Sequence, residues 1–141
     1  MMDVLPRGTA HLSDESFVEE FESCRLPTAH FHHADHIRLA WIFLGQMDEA
    51  EATRRIEQAI RRYADYNGIG QKYHQTITVA WMRLVAAARR ATPHAGCFDE
   101  FAELHPELLA VKNLNNYYTP GRLARPEARS GWLEPDLEPL P

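Results

Sequence analysis

Apolar positions recur at three and four residues along almost the whole chain, with no two-residue alternation of useful length. Phe17, Phe21 and Cys24 set out a first helix, with Ser13 as its N-cap and Leu12 placed to staple against Phe17. Arg25-Leu26-Pro27-Thr28 ends it. Ile37, Ala40, Trp41 and Leu44 form the inward stripe of a second helix, which Gly45 closes. Asp48 caps a third, with Glu51 as box partner and Ala52, Ile56, Ala59, Ile60 and Tyr63 on its apolar face; Asn67-Gly68 is its stop signal. Ile77, Ala80, Trp81, Leu84, Val85 and Ala88 make a fourth, ending near Thr92-Pro93. Phe98, Phe101 and Ala102 suggest a short fifth. Pro106 starts another with His105 as its cap, and residues 113–118 read as helix or turn. The pattern therefore predicts one all-α domain over residues 1–141. Its core is an up-and-down bundle of four helices, completed by short C-terminal helices and an extended, proline-rich tail (residues 119–141). Trp132, Leu133, Leu137 and Leu140 let that tail lie on the bundle.

Composition narrows the function classes. The chain has 141 residues, 45% hydrophobic and 25% charged, which suits a folded domain rather than a disordered one. A net charge of −5 argues against wholesale nucleic-acid binding, since a phosphate backbone needs a basic face. Apolar runs fall well short of the ~20 residues that a membrane span requires. The opening MMDVLPRGTA shows no basic-then-apolar export pattern, so a cytoplasmic location is expected. Cys24 and Cys97 are isolated and read as small buried thiols. The arginine pairs Arg54-Arg55, Arg61-Arg62 and Arg89-Arg90 read as solvated faces.

The candidate chemistry is histidine. Four of the eight histidines, His30, His32, His33 and His36, crowd the start of the second helix. His33 and His36 fall in phase with its inward stripe; His32 points away, and His30 lies in the loop. On the fourth helix His74 precedes Ile77, Thr78, Trp81 and Val85, and so opens an inward stripe too. Short connections favour antiparallel neighbours, which makes helices two and four parallel and starts them at one end of the domain. His33, His36 and His74 are then expected to meet. The electropositive helix starts keep an imidazole neutral, the form a general base or a metal ligand needs. Arg38 and Lys72 at that end suit an anion. Tyr73, Trp81 and Tyr117 or Tyr118 offer a flat apolar wall.

FHHADHIRLAW, KYHQTIT, NLNNYYTPGRL and EARSGWLEPDLEPL together resemble a family of small bacterial helical proteins with no established activity. The resemblance implies that His33, His36, Arg38, Tyr73, His74, Thr76 and Tyr118 are the positions to watch. Gln75 departs from it, standing where the family pattern has glutamate. Three functions follow as expectations. The first is a small-molecule pocket, open to an anionic ligand, with acid–base catalysis by His33, His36 or His74 and with Arg38, Lys72, Tyr73, Thr76, Trp81 and Tyr118 as ligand contacts. The second is a three-histidine zinc site with an open fourth position, although no HExxH or paired CxxC motif is present. The third is a non-catalytic interaction module that uses the Trp132–Leu140 tail.

Overall fold

The computed structural model describes residues 8–141, and in them every regular element is helical, without a strand. The reading of the first residues as lacking an export signal lies outside the described part. Seven α-helices follow one another: α1 Asp14–Glu22, α2 His33–Gln46, α3 Glu49–Tyr66, α4 Gln75–Ala91, α5 Phe98–Leu104, α6 Pro120–Leu123 and α7 Pro126–Ser130. Short 3-10 turns at Thr28–His30, Gly70–Lys72, Pro106–Leu109 and Val111–Asn116 link them. Among the described residues no helix is long and apolar enough to cross a membrane.

The helix ends form where side chains take over the unpaired backbone groups. Ser13 accepts a hydrogen bond from the Ser16 amide at 3.1 Å, and Asp48 accepts one from the Glu51 amide at 2.8 Å. Helices α1 and α3 end in the same way. Cys24 (φ 64°) and Gly68 (φ 73°) adopt the left-handed conformation, and the amide that follows each turns back to Glu20 and Ala64 respectively. Gly68 does this without strain, whereas Cys24 carries a Cβ into a region that only glycine visits freely.

Two contacts give the direction of packing. His33 lies against Trp81, and the Trp41 carbonyl accepts a hydrogen bond from Arg89 at 3.2 Å, so position numbers rise together along α2 and α4 and the two helices run parallel. Helix α3 runs the other way beside α4, with Gln75 near Glu57 and Arg90 near Glu49. The core between them holds Phe17, Phe21, Ile37, Phe43, Ile56, Met82 and Val85. Gly45 is bare because the Arg89 guanidinium lies on it; a Cβ there would come within 2.9 Å of a guanidinium nitrogen.

The arginine pairs are not simply solvated. In each, one member bridges helices. Arg55 makes a two-pronged bond to Glu22 at 2.9 and 2.8 Å and lies over Phe43. Arg61 stacks on Tyr73, and Arg89 stacks on Trp41. Charge patterning alone missed this because a guanidinium can cover an aromatic face while keeping an edge in water.

The C-terminal segment is more ordered than an extended tail. Prolines at the first turns of α6 and α7 start helices there. Beyond Gly131 the chain binds to α4 and to the turn before α6. The buried Thr76 hydroxyl donates to the Gly131 carbonyl at 2.6 Å and accepts from the Leu133 amide at 3.1 Å. Tyr118 donates to the Leu133 carbonyl at 2.7 Å, and Arg83 stacks on Trp132.

Candidate functional site

The expected residues lie in separate places. His33 and His36 stay together, with ring centroids 6.4 Å apart. His33 packs its edge on Trp81 at 4.5 Å, and its Nε2–H donates to the Leu108 carbonyl at 2.9 Å. Burial lowers its pKa, partly offset by that bond. His36 has its Nε2 buried with no hydrogen-bond partner among the described residues. Burial, with His33 adding a smaller push, lowers its pKa to about 4, so at neutral pH it is an uncharged ring inside the fold.

His74 stands apart from this pair. It is the N-cap of α4: Nδ1 accepts from the Ile77 amide at 3.1 Å, and Nε2–H donates to the Leu123 carbonyl at 2.8 Å. Both ring nitrogens are therefore committed to backbone. The register of α4 against α2 explains the separation. His33 sits level with Trp81, about two turns and roughly 10 Å beyond His74 along the helix axis. Parallel helices do share a direction, but their starts are offset. Among the described residues no three histidine, cysteine or acidic side chains are grouped as a metal site requires.

The expected ligand contacts mostly hold the fold. Thr76 and Tyr118 bind the segment after Gly131, and burial pushes the Tyr118 hydroxyl up to about 12. Tyr73 lies under Arg61 and donates to Gln75, while Lys72 is exposed on its turn. Gln75 has a local reason to be an amide. Its Nε2 donates to Glu57 at 2.6 Å, and its Oε1 accepts from Tyr73 and Arg61. A glutamate there would set two carboxylates against each other.

Arg38 leads to a different place. Its Nε and Nη2 donate to Asp14 at 3.2 and 3.0 Å, Nη1 donates to the Thr9 carbonyl at 3.0 Å, and Nη2 also donates to the Leu12 carbonyl at 2.7 Å. The guanidinium thus clamps residues 9–14 across the outer face of α2. Between that segment, the start of α2 and residues 97–99 lies a cleft of about 840 Å³. This size falls within the usual range for small-molecule sites.

The histidines of the cleft are the other two of the cluster, His30 and His32. His32 is the N-cap of α2 and its side chain is 69% exposed. Asp35, one turn on, is only 8% exposed. Its Oδ2 accepts from the His32 amide at 2.8 Å, its Oδ1 accepts from the Thr9 hydroxyl, and Oδ2 lies 3.6 Å from His32 Nδ1. The carboxylate is held at both oxygens, and the imidazole beside it is exposed. Cys97 and Phe98 line the opposite wall. Cys97 is exposed, not buried as expected; Cys24 is the buried thiol.

The helical pattern gave no role to His30, which lies in the loop, or to His32, which points away from the inward stripe. The signal that marks them is the spacing of 32, 35 and 38, which puts three chemically active side chains on one outer face of a helix. What no pattern announced was that residues 8–14 fold back over that face. No family model, curated protein or solved structure matches the chain, so the reading of this cleft stands on its own geometry.

Proposed function

We propose that the protein binds a small molecule in the cleft at the start of α2 and exchanges a proton with it through His32, oriented by Asp35. One observation carries this reading: a cavity of about 840 Å³ with a fixed, buried carboxylate 3.6 Å from an exposed imidazole at its wall. Asp35 cannot swing, since the Thr9 hydroxyl and the His32 amide hold its two oxygens. A rotation of the His32 ring closes the pair, and the carboxylate then fixes the ring's tautomer and stabilises the imidazolium formed when the other nitrogen takes a proton. Catalytic hydrogen bonds are often loose before a ligand binds, so the present separation suits a resting site.

The test is a fragment screen read by amide chemical shifts on the full chain. Hits are expected to move the amides of residues 29–35 and 97–99, and to weaken in His32→Ala. Hits that gather at His33, His36 and Trp81, or at His74, contradict the proposal and return the site to the interior.

A further inference from the structure

We infer that the ligand of this cleft is a cation, an amidinium, guanidinium or protonated amine on a small flat body. The inference rests on the cleft being the binding site. Among the described residues the lining carries three carboxylates, Asp14, Asp35 and Asp99, against one guanidinium, Arg38.

That guanidinium is not available to a ligand. Arginine offers five N–H donors, and the four hydrogen bonds Arg38 makes go to Asp14 and to the Thr9 and Leu12 carbonyls. Its face lies 4.6 Å over the Phe17 ring, and its side chain is 12% exposed. An incoming anion would have to pull Arg38 from these partners, leaving two main-chain carbonyls and a carboxylate without it. The cation of this wall works as an internal clamp.

The carboxylates are placed differently. Asp35 accepts two hydrogen bonds, from Thr9 and from the His32 amide. A carboxylate has about four acceptor directions, so it keeps capacity for a donor arriving from the cleft. Asp99, in the first turn of α5, is exposed. Phe98, which lines the same cleft, stands half-buried, its ring braced by Trp41 at 6.2 Å and Phe101 at 6.3 Å. A fixed aromatic face beside carboxylates suits a flat cation, which gains from both.

The test uses three probes that share a phenyl ring and differ in charge: benzamidine, benzamide and benzoate, titrated into the labelled full chain. Benzamidine is expected to shift the amides of residues 29–35 and 97–99 saturably, binding roughly fivefold or more tightly than benzamide, with benzoate weakest. Added salt should narrow that gap. Asp99→Asn, at an exposed position outside the α2 cap, should weaken benzamidine about threefold and leave benzamide unchanged. If benzamide or benzoate matches benzamidine at these amides, the charge preference is wrong while the cleft stands. If none of the three moves them, or the shifts gather at His36 and Trp81, the cleft reading falls with it.

Discussion

His36 is the residue whose environment makes the sharpest demand. A buried, unpartnered imidazole nitrogen costs on the order of 1–3 kcal/mol, and a ring held neutral down to about pH 4 makes folding sensitive to acid. The folded-state pKa lies below the ordinary 6.5, so the unfolded chain binds the proton first as pH falls. Stability from this source is whole above about pH 6.5 and is lost as pH drops toward 4, by roughly 3 kcal/mol in all. His36→Phe should therefore be no less stable than the parent at pH 7 and should lose less on acidification, as measured by urea unfolding at the two ends of that window. Equal acid sensitivity in both proteins would show that another group titrates. Gln75 gives a second test at this scale. Gln75→Glu should cost about 1–2 kcal/mol by opposing Glu57, and adding Glu57→Gln should recover most of it in a double-mutant cycle.

At the scale of elements, helix α4 shows how a chemically suggestive residue can be structural. His74 caps the helix and reaches the Leu123 carbonyl at the end of α6. His74→Ala should lower stability by about 2 kcal/mol, one part for the cap and one for the second bond, and should leave probe binding in the cleft unchanged. Loss of binding with stability intact would restore His74 to the site. The helices themselves were legible from the spacing of Phe17 and Phe21, of Ile37 and Trp41, and of Ile77, Trp81 and Val85, because burial on one face imposes that period. Parallel α2 and α4 also followed from short connections. Their axial offset did not, since it depends on how Trp81 and His33 pack, and a pattern fixes the face of a helix but not its height. The C-terminal turns of α6 and α7 were hidden for a related reason: prolines read as breakers, yet each opens a helix at the position where its missing N–H costs nothing.

For the whole molecule, two devices close the bundle. At one side residues 9–14 are drawn over α2 by Arg38 and Asp35; at the other the chain after Gly131 is held by Thr76 and Tyr118. Ending the chain before Trp132 should lower the melting temperature by roughly 10 °C, the effect of losing about 3 kcal/mol in a domain of this size. An unchanged melting temperature would mean that the segment contributes little to the monomer. The first device is what creates the cleft, and it explains why the site was only half legible. The cluster of histidines at the start of α2 was visible in the sequence, but which of them line a cavity depends on a segment with no helical period folding back across them. The most direct test of this division is the imidazole nitrogen spectrum of the full chain, recorded with and without the tightest of the three ring-matched probes. The probe is expected to move the ring signals of His30 and His32 and to leave those of His33, His36 and His74 in place, with His74 carrying its proton on Nε2. Movement of the signals of residues 33, 36 and 74 together, with 30 and 32 silent, would contradict it.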